Sequence, residues 1–233
     1  MSDIFCVKIN EYLDPSVFDK LRDLLPLDKR IKLEKYRHFA DAQRGLFSDL
    51  LIRYIIRKKG FSSGEIIFEI NSYGKPSFKK IPHFEFNISH SGDWVVCAVD
   101  QSPVGIDVEL VNTIDIDLAY QFFTEKECEY IFSSNENRLF RFYEIWTLKE
   151  SYIKAVGQGL TIPLNSFSIY KQNTDFSVDT ENSKDFFNYL RLIKLDPAYK
   201  LAVCSNYKDI SDCLVLVSQA ELVEFTLKEI NQE

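Results

Sequence analysis

The sequence lacks the features by which membrane, secreted and thiolate-metal proteins are commonly recognised. No apolar run approaches the ~20 residues of a membrane-spanning helix, and the first residues show neither the basic start nor the apolar stretch of a signal peptide. The five cysteines are odd in number and contain no C-x-x-C pair. We therefore expect a soluble, cytoplasmic protein with free, mostly buried thiols and no membrane partner.

An excess of positive charge is also absent. The sequence holds 28 Lys and Arg residues against 35 Asp and Glu residues, a net charge of −7. This balance argues against a nucleic-acid partner, but it leaves room for a local basic patch that binds a phosphorylated small molecule. His38 and His83 lack zinc-ligand spacing to another His or Cys, and no G-x-S-x-G elbow of a serine hydrolase occurs.

The chain is predicted to consist of two similar α+β halves, with no long Gly/Ser or Pro-rich linker between them. Apolar residues recur every four positions in Ala40–Lys59, which favours a long helix, and a second long helix is predicted from an Asn135 cap to about Val156. Strands follow each helix, so we infer an internal duplication with its seam near residues 101–103. The predicted domains are residues 1–103 and 104–233.

Turn and cap residues predict the shorter elements. Ser16 is expected to cap a helix that stops at Pro26, and Thr124 with Glu127 has the spacing of a capping box. Tyr73–Pro76 is predicted as a turn between the first two strands. The predicted strands are Glu65–Ile70, Phe84–Ile88, Trp94–Asp100, Phe167–Tyr170, Tyr189–Leu195, Lys200–Ser205 and Leu214–Ser218.

The segment Val104–Glu109, V-G-I-D-V-E, is predicted as a strand with one buried apolar face. Asp107 and Glu109 are two residues apart, so both carboxylates point to the same side of the strand. Like charges this close are unfavourable unless a cation neutralises them, and Mg²⁺ prefers such oxygen ligands. The alternative is a solvated strand face, and this segment alone does not decide between the two.

Two further segments carry candidate chemistry. Glu150 and Lys154 share a face of the second long helix, where a surface ion pair is the simpler explanation. That helix ends at Gly157-Gln158-Gly159-Leu160, which allows a positive-φ cap and a close backbone approach. Asn87–Asp93 is predicted as a loop whose Ser89 and His90 offer donors to a phosphate. A Ser/His hydrolase is a rival, although neighbouring residues seldom meet as nucleophile and base.

Four of these segments together resemble the 4′-phosphopantetheinyl transferases, of the long single-chain, surfactin-synthetase-activating class. The segments are Tyr73–Pro76, Asn87–Ser91, Gly105–Glu109 and Trp146–Leu160. The combination G-I-D-V-E followed by W-x-x-K-E-x-x-x-K-x-x-G-x-G-L is highly specific, and it shows no departure at the carboxylates. The likeness extends over nearly the whole chain and includes Lys29–Arg44 and Pro163–Ser168.

The resemblance implies a pseudo-dimer of two α+β halves, each a long helix packed on an antiparallel sheet, with coenzyme A bound between them. It implies Mg²⁺-dependent transfer of the phosphopantetheine arm of coenzyme A to a serine of an apo peptidyl or acyl carrier protein. Adenosine 3′,5′-bisphosphate is the other product, and Mn²⁺ is an alternative to Mg²⁺. A monomer is expected, because the family's short members associate to build the interface that one long chain contains.

The resemblance also assigns residues by position. The implied Mg²⁺ ligands are Asp107, Glu109 and Glu150. The implied coenzyme A contacts are Lys29, Lys32, Arg44, Lys75, Ser89, His90 and Lys154. Glu150, or a water beside it, is the implied base for the carrier serine, and Lys154 would neutralise or protonate the leaving phosphate; Asp107 completes the catalytic set. Glu127 is left open between a site contact and its capping box.

Carrier recognition is implied around Asn112–Phe123 and Gly157–Asn188, where Phe122 and Phe123 form either an apolar dock or part of the core. Two other classes of protein stay open: a metal-dependent phosphohydrolase acting on pyrophosphates like that of coenzyme A, and a catalytically silent nucleotide-binding module. Lys154 and the glycine-rich helix end favour the transferase over the hydrolase. The complete set of three carboxylates and a lysine argues against the silent module.

Overall fold

The computed structural model describes residues 2–172, 175–180 and 189–230, and within these ranges two β-sheets lie between two long helices. The helices are α1 (Pro15–Asp23), α2 (Leu27–Glu34), α3 (Phe39–Lys58), α4 (Ala119–Phe122), α5 (Glu125–Phe132), α6 (Arg138–Val156) and α7 (Gln219–Ile230). The strands are β1 (Ser2–Lys8), β2 (Phe68–Ile70), β3 (Pro76–Phe78), β4 (Glu85–Ser91), β5 (Trp94–Asp100), β6 (Val104–Leu110), β7 (Phe167–Gln172), β8 (Asp175–Thr180), β9 (Tyr189–Ile193), β10 (Tyr199–Ser205) and β11 (Ile210–Ser218). None of the described helices is long and apolar enough to cross a membrane.

The two large sheets have the orders β11-β1-β5-β4 and β6-β10-β9-β8-β7, and β2 and β3 form a small hairpin. Neighbouring strands are antiparallel except β1 and β11, which are parallel. The fold is therefore the α+β pseudo-dimer that the resemblance implies, with one parallel pair at the edge of the first sheet. The turn at residues 101–103 separates β5 of the first sheet from β6 of the second.

Three hydrophobic clusters hold these layers together. The first packs α3 against one face of the first sheet, and the second packs α6 against one face of the second sheet. The third lies between the sheets, where alternate residues of β1 and β5 meet Val104, Ile106 and Val108 of β6. Because strand side chains alternate, the opposite side of β6, with Gly105, Asp107 and Glu109, faces α6. The layer order is thus helix, sheet, sheet, helix.

Both long helices end where the sequence predicts, whereas the N-terminal caps of α6 and α1 differ from the predicted caps. Gly60 and Gly157 follow the helices with φ of +94° and +77°, a backbone region that glycine enters without strain. Helix α6 begins at Arg138, with Asn137 instead of the predicted Asn135 at the cap position. The Asn135 side-chain oxygen accepts a hydrogen bond from the Arg138 guanidinium. In α1, Asp14 replaces Ser16 as the cap, and its carboxylate accepts the Ser16 N–H at 2.8 Å.

The strand predictions are correct in position for most of the chain and wrong in detail near the first hairpin. Residues 63–65 form a 3₁₀ turn, so the predicted strand Glu65–Ile70 shortens to β2. The Tyr73–Pro76 turn joins β2 to the unpredicted strand β3. Strands β1 and β8 and helix α7 were also not predicted; β1 is a short apolar run without the alternation that identifies strands.

The end of the chain returns to the first sheet. Strand β11 pairs with β1, and helix α7 packs on α3 through the Tyr54 and Phe225 rings, whose centroids lie 5.0 Å apart. Arg57 of α3 also donates to Glu229 of α7 at 2.7 Å. The last strand and helix therefore cover the half of the molecule that residues 2–100 build. The division into residues 1–103 and 104–233 stays a prediction.

Candidate active site

Gly105 allows helix α6 to pack directly on strand β6. A Cβ atom at this position would lie 1.9 Å from the Ser151 carbonyl oxygen and 2.5 Å from the Ala155 nitrogen, both backbone atoms of the helix. No other residue permits this approach, because real Cβ atoms do not come that close to backbone. The contact brings the helix turn with Glu150 and Lys154 over the Asp107 and Glu109 side of the strand.

Asp107 is the buried centre of the site. Its side of the strand is covered by α6, so the residue is only 2% exposed, and the solvated strand face is excluded. Its Oδ1 accepts from Lys154 Nζ at 2.5 Å and from Ser89 Oγ at 2.9 Å. Its Oδ2 is buried without a hydrogen-bond partner among the described residues. Burial raises the pKa of Asp107, and the Lys154 ammonium offsets part of that rise.

Glu109 and Glu150 complete a group of three carboxylates. Burial, and then the charge of Asp107, raise the pKa of Glu109 to about 7, while a hydrogen bond from Ser91 at 2.9 Å opposes the rise. Burial and the Asp107 charge also raise the pKa of Glu150. Each carboxylate thus destabilises the ionised form of its neighbours, and Lys154 supplies a single compensating charge. The pair Glu150 and Lys154 is not a solvated surface ion pair.

These residues fit a hard divalent cation by donor chemistry. In their present rotamers, no three His, Cys, Asp or Glu side chains of the described residues are arranged to hold a metal ion. The three carboxylates nevertheless provide oxygen donors only, and the unpartnered Asp107 Oδ2 is a buried acceptor without a donor. Mg²⁺ is bound by carboxylates together with phosphate oxygens and water, and it would relieve the mutual repulsion.

Ser89 and His90 lie in strand β4 rather than in the predicted loop, so their side chains point to opposite sides. Ser89 Oγ faces the carboxylates and accepts from Lys154 Nζ at 3.0 Å. His90 faces a cavity of about 170 Å³ between α2, α3 and β4, which Lys29 and Lys32 also line. Burial and the charges of Arg44 and Lys154 lower the pKa of His90, which favours the neutral imidazole.

This cavity is the basic pocket of the site, and it contains one acid that sequence reasoning missed. Lys29 Nζ pairs with Asp49 Oδ1 at 3.1 Å and lies 5.2 Å from the centre of the Phe68 ring. Asp49 is on α3, one turn past Gly45, and no local signal in a helical apolar run marks it as a lysine partner. The cavity therefore combines two lysines, a histidine and a compensating carboxylate beside aromatic side chains.

Arg44 supports the turn that follows Ser89 and His90. Its Nη1 donates to the Gly92 carbonyl at 2.8 Å, and its Nη2 pairs with Asp41. Gly92 has a φ of +53°, and a Cβ there would lie 2.2 Å from the Tyr199 hydroxyl, which accepts the Asp93 N–H at 2.9 Å. Residues from both halves thus hold this turn. The predicted contact of Arg44 with coenzyme A stays a prediction.

Lys75 is directed away from the basic pocket, toward the C-terminal end of α6. Its Nζ donates to the carbonyls of Ala155 at 2.9 Å and Val104 at 3.2 Å. A cation at this end satisfies carbonyls that have no helical partner. Burial lowers the pKa of Lys75 to about 8. In this structure its ammonium therefore binds protein carbonyls, and its predicted contact with a nucleotide phosphate stays a prediction.

Glu127 lies in a separate buried network on the far side of α6. Its Oε2 accepts the Thr124 N–H at 2.9 Å, which completes the predicted capping box, and its Oε1 accepts the Ile169 N–H at 2.6 Å. Its Oε1 also pairs with Lys149 Nζ at 2.8 Å, and neither side chain is exposed. Of the two roles left open for Glu127, the structure shows the capping box together with a buried ion pair.

The two candidate docking aromatics differ in exposure. Phe123 is 4% exposed and belongs to the second core, whereas Phe122 is 37% exposed and packs edge-on against Trp146 at 6.0 Å. Within the segment Gly157–Asn188 implied for carrier recognition, residues 173–174 and 181–188 lie outside the described residues. Phe123 is therefore part of the core, and Phe122 is the exposed member of the predicted dock; carrier recognition by these two segments stays a prediction.

Comparison with known proteins assigns the chain to a family. Residues 103–204 match the 4′-phosphopantetheinyl transferase superfamily, and residues 14–102 match the description "4′-phosphopantetheinyl transferase, N-terminal". The chain is 34% identical over 223 residues to 4′-phosphopantetheinyl transferase Sfp of Bacillus subtilis, covering 94% of this chain and 99% of that one. It is 38% identical over 223 residues to 4′-phosphopantetheinyl transferase gsp of Aneurinibacillus migulanus, covering 95% and 93%.

These matches span both halves, and the resemblance read from the motifs is confirmed. The chain is a transferase that belongs to the 4′-phosphopantetheinyl transferase family, in its long single-chain class.

Proposed function

We propose that this protein transfers the phosphopantetheine arm of coenzyme A to a serine of an apo peptidyl or acyl carrier protein, releasing adenosine 3′,5′-bisphosphate. One observation carries the proposal: between β6 and α6, Asp107 and Lys154 bond to each other and to Ser89 of β4, and the Asp107 charge acts on the half-buried carboxylates of Glu109 and Glu150. His90, next along β4, opens into the basic pocket with Lys29 and Lys32. Carboxylates for a cation and lysines for phosphates are what a pyrophosphate substrate requires.

The carboxylates Asp107, Glu109 and Glu150 would hold Mg²⁺, with Mn²⁺ as the alternative. When bound, the cation withdraws charge from the pyrophosphate oxygens and so eases cleavage of the phosphoanhydride bond. The unpartnered Oδ2 of Asp107 and the raised pKa values of Glu109 and Glu150 support this assignment.

In the proposed reaction the carrier serine oxygen forms a bond to the phosphorus of the pantetheine phosphate, and the bond to the bisphosphate leaving group breaks. Glu150, or a water beside it, accepts the serine proton as the general base. Lys154 is 27% exposed at its side chain and lies against Asp107, so its ammonium can meet the leaving phosphate. Lys29, Lys32 and His90 orient the nucleotide phosphates by donating to them.

The proposal includes a monomer in the cytoplasm. All five cysteines are free thiols and four of them are buried, which suits a reducing compartment. The site is built from one chain, since residues of both halves meet at it.

The direct test is to incubate the protein with coenzyme A, Mg²⁺ and several apo carrier domains, and to weigh each carrier by mass spectrometry. We expect a mass gain of one phosphopantetheine on at least one carrier, and none when EDTA is present. No gain on any carrier would refute the transfer. Release of adenosine bisphosphate without carrier modification would instead support the phosphohydrolase.

A further inference from the structure

Strand β6, which carries Asp107 and Glu109, lies at the edge of its sheet. Among the described strands its single sheet neighbour is β10, and β10 satisfies every second backbone N–H along β6. The N–H groups of Ile106, Val108 and Leu110 point the other way, toward the first sheet. An edge strand buried in this manner leaves donors that cost about 1–3 kcal/mol each if they remain unpaired.

Side chains of β4 accept all three of these N–H groups. The acceptors occupy every second position of β4 and give its sequence N-x-S-x-S a single polar side. The acceptors on β4 and the donors on β6 both recur every two residues. The β4 side chains therefore take the place of the backbone carbonyls that a neighbouring strand would supply. The three bonds join Ile106 N–H to Asn87 Oδ1 at 2.9 Å, Val108 N–H to Ser89 Oγ at 3.4 Å, and Leu110 N–H to Ser91 Oγ at 3.1 Å.

The hydroxyls of Ser89 and Ser91 in turn each donate a hydrogen bond to a carboxylate. Ser91 Oγ accepts from the Leu110 N–H and donates to Glu109 Oε2 at 2.9 Å. A hydroxyl has one proton and two acceptor sites, so the backbone bond leaves its proton free for the carboxylate. The position of the Glu109 carboxylate is therefore tied to the backbone of the strand that carries it.

We propose that Asn87 and Ser91 are positioning residues of the site: Ser91 holds Glu109 toward Asp107, and Asn87 holds the start of the same strand in register. The proposal rests on the function above where it concerns the cation. Neither residue needs to touch coenzyme A, the carrier or the cation. Removal of the Ser91 hydroxyl leaves the Leu110 N–H unpaired and frees Glu109 to turn toward solvent.

The first measurement is backbone amide exchange by NMR. In the unaltered protein the amides of Ile106, Val108 and Leu110 should exchange as slowly as those of the intervening residues, which bond to β10. Exchange at free-edge rates would overturn the proposal without any variant. In Ser91→Ala, we expect Leu110 to exchange at least about tenfold faster, which corresponds to the loss of one hydrogen bond.

The second measurement is cation binding, followed through the EPR signal of free Mn²⁺ and through the Mg²⁺ concentration for half-maximal transfer. Ser91→Ala should weaken Mn²⁺ binding about tenfold and raise the Mg²⁺ concentration for half-maximal transfer by about the same factor. Such a loss is expected when a residue that hydrogen-bonds to a metal ligand is removed. Ser91→Thr keeps the hydroxyl and should behave like the unaltered protein. Ser211→Ala is the matched control, because its hydroxyl also accepts a backbone N–H at 3.1 Å but lies on β11, at the opposite edge of the first sheet.

The outcomes separate this proposal from the proposed function. If the unaltered protein binds Mn²⁺ and modifies a carrier, unchanged cation binding in Ser91→Ala overturns the positioning role, even with faster exchange at Leu110. An equal loss in Ser91→Thr also overturns it, since packing rather than the hydroxyl would then matter. If the unaltered protein neither binds Mn²⁺ nor modifies a carrier, both proposals fail.

Discussion

Lys149 and Lys154 lie on the same helix, and each pairs with a buried carboxylate, yet the two pairs differ in how fully they are satisfied. Lys149 Nζ bonds to Glu127 and to the carbonyls of Leu164 and Phe167, at 2.6 to 2.8 Å. Both oxygens of Glu127 also accept backbone N–H groups. This pair is closed on every side and ties α5 and α6 to the start of β7.

The Lys154 pair is open by contrast. Asp107 keeps one oxygen without a partner among the described residues. Its charge and those of the Glu109 and Glu150 carboxylates repel one another. A complete network stabilises one arrangement, whereas an incomplete one can accept a ligand. Burial of an ion pair therefore does not by itself mark a site, whereas a buried unsatisfied oxygen beside the pair does.

Loss of the closed pair should give the largest effect. Lys149→Met leaves Glu127 buried without its cation, so we expect the free energy of unfolding to fall by about 3–5 kcal/mol. Chemical denaturation followed by circular dichroism measures it. The exposed Lys126→Met on α5 is the control and should change little. A loss near zero for Lys149→Met would show that the closed pair is not structural.

Loss of the open carboxylate should act on activity instead of stability. Asp107→Asn keeps the shape but removes the charge, and we expect kcat/KM for carrier modification to fall at least about 100-fold, because a ligand of the cation is lost. The circular dichroism spectrum should stay unchanged. Asp209→Asn, at an exposed position between β10 and β11, should keep full activity. Full activity of Asp107→Asn in metal-replete buffer would refute the role of this carboxylate.

The close packing of α6 on β6 holds Lys154 beside Asp107. Gly105→Ala pushes a methyl group into the Ser151 carbonyl, so we expect a loss of about 2 kcal/mol in unfolding free energy and a parallel fall in transfer. Gly64→Ala serves as the control, since a Cβ there meets nothing within 4 Å. If Gly105→Ala matched Gly64→Ala in both assays, close packing of α6 would not be what assembles the site.

Lys75, whose ammonium binds carbonyls at the C-terminal end of α6, should have the smallest effect on stability. Burial lowers the pKa of Lys75 from 10.5 to about 8, so between these values the unfolded chain binds a proton that the folded chain has released. Stability should therefore rise with pH across this window, by on the order of 1 kcal/mol relative to Lys75→Met. Denaturation at pH 8 and pH 10 measures it, with exposed Lys79→Met as control. If the difference in unfolding free energy between the unaltered protein and Lys75→Met does not increase from pH 8 to pH 10, the lowered pKa of Lys75 is contradicted.

The motif strand shows how far local pattern reaches. The period of a strand places Asp107 and Glu109 on one side, and the period of a helix places Glu150 and Lys154 on one face. The glycine after α6 and the capping box at Thr124 are equally local, because each depends on the backbone of a few neighbouring residues. Such features, with the family to which they belong, were predictable from the sequence by itself.

Long-range packing determines which residues those faces contact. The side of β6 with both acids is covered by α6, because Gly105 lets the helix approach and the other side is taken up by the core between the sheets. The same packing places Lys75 against helix carbonyls and Ser91 against Glu109. It also pairs β11 with β1, although most of the chain separates these two strands in sequence. These outcomes depend on contacts between residues far apart in sequence, and no local period encodes such contacts.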